Sequence, residues 1–140
     1  MLRRHLLAFV FTPVMFGREA ERVLVRGRLT QSGGREPSLR LADGRVVELT
    51  GDDPTKGVLR DERLKDADFE VGGKYRSPGQ FEVDPIHTRS LFVHRKGQRL
   101  MVTYWCDICY IRTFTPGICW CCQENTTLDL KDPDTPDPKP

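Results

Sequence analysis

Ser38-Leu39-Arg40-Leu41-Ala42-Asp43-Gly44-Arg45-Val46-Val47-Glu48-Leu49 is the stretch that decides the fold of this chain. Apolar and polar residues alternate on both sides of Asp43-Gly44, as they do along strands that bury one face. Aspartate and glycine tolerate the positive φ of a tight turn, so the stretch predicts two strands joined as a hairpin.

Upstream, residues 21–30 set Val23, Val25 and Leu29 against Arg22, Arg26 and Arg28, a half-buried strand whose basic side meets water; Leu24 interrupts the alternation. Gly33-Gly34 makes residues 31–37 a flexible connection. Downstream, Asp53-Pro54 reads as a helix cap followed by proline at the first helical position, where its missing N–H costs nothing. A short helix would run from there to about Leu64, with Gly57 weakening it. Strands follow over residues 68–75, with Phe69 and Val71 on one face, and over residues 80–84, with Phe81 and Val83 on one face. Ser77-Pro78-Gly79 turns between them. A last hairpin joins residues 91–95 to residues 99–104 around Lys96-Gly97.

This order of strand, hairpin, short helix and two strands resembles the OB-fold, a small, partly open barrel. A β-sandwich or meander built from the same strands stays open. The expected fold is mainly β, with four segments. Residues 1–20 form a signal-like apolar segment, residues 21–105 an OB-like β-barrel with one short helix, residues 106–130 a four-cysteine zinc knuckle, and residues 131–140 a disordered tail. That tail holds four prolines and almost nothing to bury.

The knuckle rests on Cys106-Asp107-Ile108-Cys109 and Cys119-Trp120-Cys121-Cys122, two C-x2-C pairs with nine residues between them. Zinc takes four ligands in a tetrahedron, and a two-residue gap lets both sulfurs of a pair converge on one ion. Residues 110–115 alternate as a short strand and Pro116-Gly117 turns the chain back. The pattern resembles a zinc ribbon or zinc knuckle, though Tyr110 and Gln123 stand where a knuckle commonly has glycine. The expected ligands are Cys106, Cys109, Cys119 and Cys122. Adjacent cysteines point apart, which leaves Cys121 as a buried spare thiol, a partner to the ligands or a redox handle. Four protein ligands close the site, so the expected cofactor is a structural Zn2+ that stabilises the fold without catalysing. Disulfides, iron–sulfur binding and transient metal transfer are the competing uses of these thiols. Covalent haem attachment is excluded because no histidine follows either pair.

Three aromatics, Tyr104, Trp105 and Trp120, accompany the cysteines. They either form a platform on which nucleic-acid bases stack or shield the thiolates and weld the knuckle to the barrel. Asp84-Pro85-Ile86-His87 offers a carboxylate and an imidazole in one turn. This makes His87 a candidate ligand-binding residue, although a turn with Asp84 capping backbone amides is the ordinary outcome. His94 lies opposite Leu91 and Val93, on a face expected to meet solvent.

Composition narrows the function classes. The chain has 140 residues, 38% hydrophobic and 30% charged, with a formal charge of +2. Residues 21–105 hold 16 basic and 13 acidic residues. Such a balance describes a mixed solvated surface more than a phosphate track through Arg22, Arg26, Arg28, Arg40 and Arg45. No Ser-His-Asp set, phosphate-cradling glycine loop or paired-carboxylate motif is present, so the sequence leans away from an enzyme. At the start, Arg3, Arg4 and His5 precede an apolar run from Leu6 to Phe16. This order suits a secretory leader and favours export to a periplasm over the cytosol, while the run is too short for a transmembrane anchor. Arg18 spoils the cleavage end and the thiols favour a reducing compartment, so the two signals oppose one another.

The reading reached from sequence is a noncatalytic, zinc-stabilised accessory or interaction protein with a protein partner. It resembles small bacterial proteins of unknown function more than characterised enzymes. The alternatives are a single-stranded nucleic-acid binder that uses barrel and knuckle together, and a thiol redox or metal-handling protein centred on Cys121.

Overall fold

The computed structural model describes residues 21–140, apart from the His87 side chain; the leader lies outside the described residues. Five strands close a barrel: β1 (Val23–Thr30), β2 (Ser38–Arg40), β3 (Val46–Thr50), β4 (Asp68–Ser77) and β5 (Gln80–Val83). Their order around the barrel is β1-β2-β3-β5-β4, and β4 returns to β1. The β3–β5 pair is parallel and the other contacts are antiparallel. This is the OB order expected from the sequence.

Alternation drives the closure. Leu29, Leu39, Val47, Leu49, Phe69, Val71, Phe81 and Val83 all point inward and are buried in one cluster, whereas Arg28, Arg40 and Glu48 face outward. At roughly 1.5–3 kcal/mol for each large side chain, this burial is the main favourable term holding the barrel. Where β4 is gripped by β1 on one edge and β5 on the other, Gly73 leaves no room for a side chain. A Cβ there would overlap the carbonyl oxygen of Glu82.

Two local expectations change. The Asp43-Gly44 hairpin has a three-residue loop: Leu41 N–H donates to the Arg45 carbonyl (2.8 Å) and Gly44 N–H to the Leu41 carbonyl (3.0 Å). Only Gly44 has positive φ. Asp43 instead accepts from the Arg45 amide at 3.0 Å. The two-residue turn with both residues at positive φ occurs at Lys96-Gly97 (φ 51° and 75°). The helix is also shorter than expected. α1 spans Asp53–Leu59 and is capped by Asp52, which accepts from the Thr55 amide at 2.9 Å. Asp61 then opens a separate 3-10 turn, Glu62–Leu64, by accepting from the Arg63 amide. α1 and that turn add Val58, Leu59 and Leu64 to the barrel core.

The same sheet continues beyond the barrel from β4. β6 (Leu91–Arg95) pairs with Phe69–Val71, and β7 (Gln98–Cys106) pairs with β6. The far half of β7 carries β8 (Ile111–Thr113) on the β6 side and β9 (Thr127–Lys131) on the other. Val102 and Tyr104 of β7 belong to the barrel core, and Leu128 and Leu130 of β9 pack on it. The sulfur-bearing end of β7 is thereby fixed to the barrel. Among the described residues, no helix is long and apolar enough to cross a membrane.

Candidate metal centre

β7 delivers Cys106, which is buried, to the end of the sheet's extension beyond the barrel. The chain then turns sharply. Cys109 N–H points at the Cys106 sulfur (3.4 Å) and Tyr110 N–H donates to the Cys106 carbonyl (2.9 Å), after which β8 returns along β7. Thr113 gives way to Pro116-Gly117, and an isolated bridge between Ile118 and Asn125 opens the second turn. Here Gln123 N–H donates to the Cys119 carbonyl (2.8 Å). The residue after each second cysteine has positive φ, 55° at Tyr110 and 61° at Gln123. The knuckle conformation is therefore adopted at both positions without glycine.

The two turns bring together the four sulfurs expected from spacing. The Sγ atoms of Cys106, Cys109, Cys119 and Cys122 lie within 4.8 Å of one another, and Cys106 and Cys122 are 3.5 Å apart. Sulfurs at the corners of a tetrahedron with metal–sulfur bonds of ~2.3 Å would be separated by about 3.8 Å. The donor set, geometry and burial fit a metal ion caged by four thiolates. All five cysteines are unbonded to one another.

Electrostatics already favour a thiolate at one corner. The amides of Cys122 and Cys121 point at the Cys119 sulfur and draw its thiol down to about 7. Cys109 moves upward, first through its hydrogen bond with the Cys121 thiol and then through burial. Cys121 itself is exposed, which removes the buried spare thiol from its three expected roles: its side chain lies beside Cys109 and outside the four-sulfur cluster.

The aromatic candidates separate. Tyr104 is completely buried and its hydroxyl donates to Asp61 (2.6 Å), with Arg63 over its ring. It is a core residue that cannot offer a face to a base. Trp105 is half-buried, edge-on to Tyr110 at 5.8 Å between centroids, with Arg112 over its ring. Trp120 is 75% exposed, and Ile108, Tyr110 and Ile118 are exposed with it. The tip of the knuckle thus presents apolar surface to solvent.

The His87 side chain lies outside the described residues, and Asp84 pairs with Arg22 at 2.5 Å. His94 does not face free solvent. Its Nε2 meets Glu70 at 2.9 Å, and Arg99 donates to the same carboxylate at 2.6 Å. Burial alone would raise the Glu70 carboxyl, but Arg99 and then His94 hold it below the usual range. Strand alternation puts Glu70 on the outer side of β4, but it does not reveal that β6 and β7 pair beside β4 and bring His94 and Arg99 onto that face. Of the five barrel arginines, Arg22, Arg26 and Arg45 are neutralised by Asp84, Asp68 and Asp43. Arg28 and Arg40 stand opposite each other across β1 and β2.

The chain has no significant match to any family model, any curated protein or any solved structure.

Proposed function

We propose that this chain is a small noncatalytic interaction or accessory protein whose C-terminal module is held by a structural zinc ion. The observation that supports this most directly is the closed set of four thiol ligands, Cys106, Cys109, Cys119 and Cys122, on two knuckle turns. Zinc is favoured because it suits a tetrahedral all-sulfur site and carries no redox chemistry. Four protein ligands leave no open position for water or substrate, so the ion's contribution is to folding. What the ion positions is the exposed apolar tip of Ile108, Ile118 and Trp120, the kind of surface that marks a contact with another protein. Cobalt substitution tests the site. One equivalent of cobalt should give the intense visible absorption of tetrahedral tetrathiolate coordination, and one equivalent of zinc should displace it. Weak, octahedral-type absorption would contradict the reading.

Single-strand nucleic-acid binding is the second reading, supported by the OB topology and by the paired Arg28 and Arg40, which no acidic side chain neutralises among the described residues. Titration of labelled oligonucleotides across a salt series separates the two. The interaction reading expects no saturable binding near physiological salt, whereas a strand binder weakens steeply and linearly on logarithmic axes as salt rises.

A further inference from the structure

Arg112 forms a cluster that metal binding does not explain. Its side chain is only 10% exposed. The guanidinium lies 4.8 Å from the centre of the Trp105 ring. Nη1 donates to Asp129 (2.6 Å) and to the Thr103 hydroxyl (2.7 Å). Nε donates to Asp137 (2.7 Å), 25 residues away. Asp137 lies in Asp132-Pro133-Asp134-Thr135-Pro136-Asp137-Pro138-Lys139-Pro140, and Pro136 and Pro138 line a concavity of about 450 Å3 together with Trp105 and Arg112. An aromatic ring beside a fixed cation, with prolines lining the same concavity and a carboxylate on the cation, has the chemistry of a groove for an extended proline-containing peptide.

We propose that the Trp105–Arg112 groove is a docking site for an acidic, proline-containing segment of a protein partner, and that residues 132–140 occupy it in cis. This names a partner class for the interaction reading, on which it rests, and it uses none of the four sulfur ligands. Proline fixes the backbone before binding, so little ordering entropy is lost. The contact is weak, because an exposed ion pair contributes only about 0.2–1 kcal/mol. Tethering at Lys131 compensates by holding the tail at an effective concentration on the order of millimolar. A partner segment therefore competes with the tail, and weakening the tail's grip opens the groove.

The test uses the zinc-loaded full chain, with metal content measured on every sample, and nitrogen-15 NMR of the Trp105 indole N–H and the Arg112 Nε–H. The probe is a synthetic peptide with the sequence of residues 132–140. In Asp137→Ala protein both reporters should shift saturably with the peptide. In the unsubstituted protein the apparent affinity should be lower by up to about fivefold, the most that removing an ion pair of that strength can release. A peptide with alanine at the Asp137 position should bind the same protein more weakly, by up to about fivefold. Equal titrations of the two proteins, equal titrations with the two peptides, or no movement in the Asp137→Ala protein would each overturn the proposal while leaving the zinc site untouched. Peptide binding by a chain that never retains metal would instead keep the groove and sink the zinc-held module.

Discussion

At Gln123 the backbone takes a left-handed conformation that a side chain disfavours, with φ 61°, and the residue is exposed. Glycine there removes a strain of about 1–2 kcal/mol but frees the unfolded chain. Gln123→Gly is expected to raise stability by about 0.5 kcal/mol in urea melts. Tyr110→Gly should gain less, because it also deletes the edge contact with Trp105. The cysteines divide in the same way. Cys109→Ser removes one corner of the cage and should weaken metal affinity at least about tenfold, or roughly 1.4 kcal/mol, by competition with a chromogenic chelator. Cys121→Ser keeps the backbone amide that points at Cys119 and alters only the group beside Cys109, so it should leave the affinity unchanged. Equal losses in both would reassign the ligands. The convergence of the four sulfurs was legible in the sequence because a two-residue gap constrains sulfurs directly. The outward turn of Cys121 was not, since spacing does not report which way an unused side chain points.

Among the elements, inward alternation over Ser38–Arg40, Val46–Thr50, Asp68–Ser77 and Gln80–Val83 made the barrel readable. What alternation cannot show is which outward faces are later covered. Glu70 sits on such a face, buried beside the cross-strand side chains of β6 and β7, with His94 and Arg99 as partners. β9 also went unread, because Thr127-Leu128-Asp129-Leu130-Lys131 needs the edge of β7 to become a strand. The covered carboxylate carries a pH dependence. Its folded pKa lies below the unfolded value, so Glu70 contributes stability above about pH 4–5 and loses it as pH falls through the folded value. Stability of the unsubstituted protein should therefore fall from pH 5 to pH 3 more steeply than that of Glu70→Gln. Protonation of the thiolates acts on both proteins, so the difference isolates Glu70; parallel curves would deny it this role. Tyr104→Phe tests the tie between β7 and the 3-10 turn. Losing the hydroxyl bond to Asp61 should cost about 1–2 kcal/mol in the same melts.

For the molecule as a whole, the core formed by the five barrel strands includes none of the four clustered cysteines, so barrel and knuckle should respond differently to chelation. Hydrogen exchange after metal removal is expected to lose protection over residues 106–126 while the amides of Leu39, Phe69 and Phe81 stay protected. Loss of protection throughout would mean that the ion holds the entire fold. OB order and sulfur spacing were both visible along the chain, whereas the seating of Asp137 on Arg112 was not, because proline content describes a segment's stiffness and not what it lies against. The most direct measurement is zinc-edge X-ray absorption, with elemental analysis, on the protein as first isolated. The account predicts one zinc per chain surrounded by four sulfurs at ~2.3 Å. A metal-free protein with paired disulfides, or a zinc shell containing nitrogen or oxygen in place of sulfur, would contradict it.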